Sequence, residues 1–184
     1  MKTFLVKHRV KLVVGILALC LLSVGLTYLI PLRFNVMIPR DQVARIDVIQ
    51  MKIMPGVEEE SSLSNATFTA ESEIQAIYDI LYDSRFIRKL FQPTAVPSYS
   101  TPADMIELQF IKKISSGSDV PNVFIFTIFD DDRNTIYPRP NYDSAVKISE
   151  QRGADESVWY NIAGGAQRRV ELYQSLKATI DSFA

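Results

Sequence analysis

The amino-acid sequence reads as an α+β domain carried on one N-terminal membrane helix. Three features support this: a charge-free apolar run from Leu12 to Leu32, several short stretches that alternate apolar and polar residues, and two later segments with apolar residues at helical spacing. The chain has 184 residues, 47% hydrophobic and 22% charged, enough for one compact core beyond a membrane segment. One Cys excludes an internal disulfide, and one His excludes the usual zinc sites.

The run LVVGILALCLLSVGLTYLIPL carries no charge over 21 residues. At 1.5 Å per residue it spans roughly 30 Å, the thickness of a hydrocarbon core. Backbone amides in that layer must be paired internally, so the sequence predicts a helix that ends near Pro31. Lys2, Lys7, Arg9 and Lys11 precede the run and the first acid is Asp41, which places the N-terminus in the cytoplasm. A cleaved signal peptide finds one weak match at Ser23 and Gly25, but Leu26 to Ile30 continues the apolar run beyond it. A lipid-attachment signal fails at Leu19, where a small residue should precede Cys20. The expected organisation is a basic cytoplasmic leader (1–11), an uncleaved signal-anchor helix (12–31) and an exported domain (32–184). With four of the 20 basic residues in the leader, 16 remain against 21 acids, so the rest of the chain nets −5. That balance, without a basic stripe, argues against nucleic acid as a partner.

Within the exported part, Phe34, Val36 and Ile38 alternate and suggest a strand start rather than a loose tether. Ile49, Met51 and Ile53 share one face of a half-buried strand from Val43 to Met54, closed by the Pro55-Gly56 turn and an acidic loop at Glu58 to Ser62. Asn65 to Thr69 leads into a helix that Thr69 can cap, with Glu71 and Glu73 in its first turn. Ile74, Ile77, Tyr78 and Leu81 then form one apolar stripe. Asp83-Ser84 breaks this helix before a short turn carrying Phe86, Ile87 and Leu90, and the proline-rich 92–102 is a loop. Met105 to Lys113 alternates. Val123 to Phe129 is apolar on both faces, the mark of a central strand. Thr135 to Tyr137, Ala145 to Ser149 and Val158 to Ile162 are further short strands. Gly164-Gly165 opens a last helix with a stripe of Val170, Tyr173, Leu176, Ile180 and Phe183. The sum is a mainly antiparallel sheet with two amphipathic helices.

Subtraction narrows the chemistry. His8 is in the leader and Cys20 in the apolar run, so the exported domain has neither imidazole nor thiol, and no phosphate-cradling glycine motif occurs. Asp130, Asp132 and Asn134 repeat the oxygen spacing that opens a calcium loop, but Thr135 stands where glycine is needed and Asn141 where a bidentate Glu should be; a hairpin turn explains the same residues. Gly164 and Gly165 before a helix bearing Arg168 and Arg169 could hold an anion, or be a turn followed by solvated arginines. Tyr137, Tyr142, Trp159 and Tyr160 could line an interface, or be ordinary sheet and core. Glu107 with the Asp130 to Asp132 acids is a nominal carboxylate pair on no recognisable motif, and Lys112, Lys113, Ser115 and Ser116 lie on no Ser-x-x-Lys helix. No catalytic residue, cofactor or metal is assigned from these patterns.

The segments Ile49 to Gly56 (IQMKIMPG), Phe68 to Leu81 (FTAESEIQAIYDIL) and Val123 to Phe129 behind a basic leader and one apolar span look like those of small membrane-anchored extracytoplasmic proteins of Gram-positive bacteria. The resemblance implies a sheet interleaved with one early and one late helix; it supplies no catalytic residues. Many members of that group are lipoproteins, and this chain departs from them at Leu19. The expectation is a non-enzymatic, single-pass surface protein whose partners are the bilayer and another membrane or cell-surface protein. A carboxylate-based cell-wall hydrolase and a structural subunit of a membrane complex are the rival expectations.

Overall fold

Strands whose residues alternate between two environments must lay one face on a core, and in this chain that face is covered by helices. The computed structural model describes residues 2–53, 61–89, 103–113, 123–130, 145–151 and 155–183. The elements run α1 (Lys2–Leu29), β1 (Leu32–Arg33), α2 (Phe34–Met37), a 3-10 turn (Arg40–Gln42), β2 (Val43–Ile53), β3 (Ser61–Phe68), α3 (Glu71–Tyr82), β4 (Arg85–Arg88), β5 (Ala103–Lys112), β6 (Val123–Phe129), β7 (Ala145–Gln151), β8 (Asp155–Ile162) and α4 (Gly165–Phe183). The strands form one eight-stranded sheet in the order β1-β4-β8-β7-β6-β5-β2-β3, antiparallel at every pairing. β5 to β8 make a meander in chain order. β2 and β3 add a hairpin at one side, and the link through α3 carries the chain to β4 near the opposite edge.

The core is the sheet face beneath α2, α3 and α4. Ile46 and Val48, Ile106, Leu108 and Phe110, Phe124, Phe126 and Ile128, and Val146 and Ile148 supply its floor. Ile74, Ile77, Tyr78 and Leu81 of α3 meet it as their spacing predicts, with Leu172, Tyr173, Leu176 and Ile180 of α4 beside them. On the other face Ala103, Met105, Phe129 and Trp159 form a smaller buried cluster against Met51. β6 is thus central and covered on both sides toward its end, as its unbroken apolar run requires.

Four local expectations are corrected. Phe34, Val36 and Ile38 do not continue a strand: only Leu32 and Arg33 pair, and one helical turn follows, closed by the Ile38 N–H donating to the Phe34 carbonyl at 2.9 Å. A period of four puts Phe34 and Ile38 on the same side, both 0% exposed, while Val36 is 68% exposed. Asn65 to Phe68 lies in β3, where Phe68 faces the core opposite Ile46. The cap of α3 is consequently Ala70, whose N–H donates to the Glu73 carboxylate at 3.2 Å, in place of a Thr69 side-chain cap. Finally, Phe86 and Ile87 sit in β4, held between β1 and β8, and not in a turn.

α1 is helical for 28 residues, and its Ser23 hydroxyl donates back to the Cys20 carbonyl at 2.8 Å. Among the described residues no helix is long and apolar enough to cross a membrane.

Candidate functional site

The run VFIFTIF holds β6 in the centre of the sheet, and its last residue, Phe129, is where the sequence-singled groups come closest together. The Phe129 ring stacks on Trp159 of β8, centroids 6.1 Å apart and planes 14° off parallel. One residue on, the Asp130 N–H donates to the Asp104 carbonyl at 2.9 Å and the Asp104 N–H donates to an Asp130 carboxylate oxygen at 2.9 Å. This reciprocal pair ends the β5–β6 ladder: a carboxylate takes over as acceptor where the strand stops, a common use of Asp at a strand end.

α4 reaches the same place because of its entry. Gly164 and Gly165 have φ of 103° and 75°, a left-handed geometry that glycine adopts without penalty. A Cβ at Gly164 would also stand 3.0 Å from the Cβ of Arg168. The turn aims α4 back across the sheet so that Arg169 enters the interior, 1% exposed, and one guanidinium nitrogen donates to the Phe129 carbonyl. Such a charge-assisted bond clamps helix to sheet more firmly than a neutral one. Tyr173, one turn further, is buried, and burial raises its phenol above the ordinary value of 10.0, the negative charges of Asp130 and Asp104 adding to the effect. The phenol therefore stays a neutral donor throughout the physiological range.

Asp130, Arg169 and Trp159, each from a different candidate set, thus converge on one strand end. Their companions do not. Arg168 turns outward to Glu171 at 3.4 Å, so the two guanidiniums have different partners and do not converge as an anion pair. Tyr160 lies in the main core, on the opposite side of β8 from Trp159, and both are buried rather than displayed. Glu107 accepts from the Gln109 side-chain amide at 2.8 Å and sits in register with Thr127, about 10 Å along β6 from Asp130. Lys112 ends β5, and the Lys113 N–H donates to the Gln42 carbonyl at 2.7 Å. Asp132, Asn134, Ser115, Ser116, Tyr137 and Tyr142, with the 135–137 strand, lie outside the described residues. Among the described residues no group of His, Cys, Asp or Glu could hold a metal ion.

A second polar constellation went unread in the sequence. Arg40 donates to Glu71 at 2.6 Å and to Gln75 at 3.0 Å while lying 5.8 Å from the centroid of the Tyr78 ring. The Tyr78 hydroxyl donates to the Ile38 carbonyl at 2.6 Å. Phe34 meets Tyr78, Phe86, Phe110 and Phe126 at centroid distances of 5.5, 6.2, 5.4 and 6.1 Å. Together these groups fasten the segment that follows α1 to α3 and the sheet. The i, i+4 spacing of Phe34 and Ile38 was the only sequence signal for this plug.

Both constellations hold parts of the fold together. Set beside known proteins, the chain matches no family model, no curated protein and no solved structure.

Proposed function

We propose that this chain is a single-pass membrane protein: α1 crosses the bilayer with its N-terminus in the cytoplasm, and the α+β domain is held outside as a non-enzymatic binding module. The observation that carries the proposal is the uncharged run of 21 residues, of which residues 12–29 lie in the 28-residue helix α1. Over residues 11–23 every side chain is exposed, Leu12, Leu19 and Leu22 among them, and so is Leu29. A helix apolar on every side is stable only where hydrocarbon or a core surrounds it. Roughly ten such side chains at about 2 kcal/mol each favour covering α1 by about 20 kcal/mol.

The plugged segment after α1 supports a further part of the reading. Phe34 and Ile38 are seated in the core, so the domain is attached to its anchor by packed structure. An anchor joined in this way narrows the range of ways the domain can face the membrane, which suits a protein that presents a surface to a neighbour in the same bilayer. Alkaline carbonate extraction of membranes tests the reading: the chain should remain in the pellet, and its release would contradict it. Crosslinking in intact membranes should then recover a specific protein partner, and repeated failure to recover one would remove the binding role.

A further inference from the structure

We infer that the β1/β4 edge of the sheet is a seat for anionic lipid headgroups, with Arg33, Arg85 and Arg88 as its phosphate-binding side chains. The inference rests on the membrane-spanning reading of α1.

Arg33 stands four residues beyond Leu29, the end of α1, and that much chain extends at most about 14 Å. The headgroup layer begins where the hydrocarbon ends and is several ångströms deep. Arg33 is therefore confined near the phosphates whatever the tilt of α1. Arg85 is its cross-strand partner in the β1–β4 register, and both are exposed. Like charges directly opposite one another on a sheet repel. Among the described residues neither arginine forms an ion pair that would relieve this repulsion. A bound phosphate between them would relieve it, and guanidinium groups suit the forked geometry of phosphate oxygens.

Alternation along β4 puts Arg88 on the other side of the edge. Its guanidinium lies 5.9 Å from the centroid of the Tyr28 ring, at the last turn of α1. Tyrosine at a helix end is the ordinary occupant of the membrane–water interface, and a cation on its ring belongs at the same depth. Exposed Leu32 and Val36 add apolar contact beside the arginines. Over residues 28–36 and 83–89 four basic residues face a single acid, Asp83. The edge is thus positive within a domain that is negative as a whole. Charge, apolar rim and distance from α1 all match a lipid surface.

The test uses the full chain in vesicles of phosphatidylcholine alone or mixed with phosphatidylglycerol. Cys20→Ser and Val36→Cys place one fluorophore beside the edge, read with a quencher attached to lipid headgroups. Quenching should be stronger in the anionic vesicles and weaken with added salt. The ratio of docked to undocked domain should fall about fivefold per arginine lost, about a hundredfold for Arg33→Gln, Arg85→Gln and Arg88→Gln together. The matching triple lysine variant should keep most of the docking, and unchanged Trp159 emission in the glutamine variant shows that it is folded. Equal quenching in both lipids and in the glutamine variant overturns the proposal, as does arginine-dependent docking seen only in native membranes, which would assign the edge to a protein. Alkaline release of the chain from the vesicles would instead refute the spanning reading on which the seat depends.

Discussion

Replacing Phe34 with alanine is the sharpest structural test of how the domain is attached. Phe34 is 0% exposed and its ring meets four other aromatic rings between 5.4 and 6.2 Å. Removing a buried phenylalanine costs about 3–5 kcal/mol, and the lost ring–ring contacts place this site at the upper end, about 4–5 kcal/mol. Against a total stability of about 5–15 kcal/mol, that is about a quarter or more of the domain's reserve. With a urea dependence of about 2 kcal/mol per molar, the unfolding midpoint should fall by about 2 M. The assay is urea unfolding of the full chain in a mild non-ionic detergent, followed by emission of the single tryptophan, Trp159, which is buried on Phe129. Val36→Ala, two positions on and exposed, should shift the midpoint by less than about 0.3 M. Should the two variants shift it alike, the segment after α1 is a loose tether and the reasoning fails.

Other perturbations follow from the same contacts. Arg169→Ala removes the donor to the Phe129 carbonyl and leaves a cavity, costing about 3 kcal/mol in the same urea assay, with Arg169→Met recovering part of it; a loss below about 0.5 kcal/mol would show that the clamp does not hold α4. Gly164→Ala forces a Cβ onto a φ of 103° and against Arg168, costing about 1–3 kcal/mol; a neutral result would mean that the turn relaxes freely. Alkaline stability follows from tyrosines. Burial raises Tyr78, Tyr160 and Tyr173 above 10.0, so their contribution is complete below about pH 10 and is lost as pH rises toward their folded values. At pH 11 the penalty is about 1.4 kcal/mol for a tyrosine still protonated in the folded state, and Tyr173→Phe should abolish its share; an unaltered pH profile would place Tyr173 in contact with solvent.

The parts of the fold that were legible in the sequence are those whose period belongs to one element. Ile74, Ile77, Tyr78 and Leu81 fit only a helix, and the unbroken run at Val123 to Phe129 fits only a strand buried on both sides in a sheet of this kind. Phe34, Val36 and Ile38 fit two periods at once, and tertiary burial of Phe34 and Ile38 decided for a helical turn. β3 and β4 are short or polar, and what makes them strands is pairing with β2 and with β1 and β8, information that lies far away along the chain. At the candidate site, Asp130, Arg169 and Trp159 were singled out separately, but their meeting at Phe129 depends on strand order, which local pattern does not encode. Arg169 carried a usable signal: it stands three residues before Leu172 and four before Tyr173, on the buried stripe of α4. A charged residue in phase with a buried stripe marks an internal clamp more often than a solvated face.

The spanning role of α1 underlies the proposed function, and the side of the membrane on which β3 sits tests it most directly. In whole cells, Cys20→Ser combined with Ser64→Cys leaves one thiol, on the exposed Ser64 position of β3. A membrane-impermeant maleimide should label it in intact cells, with the labelled chain staying in the membrane fraction. Labelling only after the membrane is permeabilised, or a labelled product free in the medium, would contradict the account.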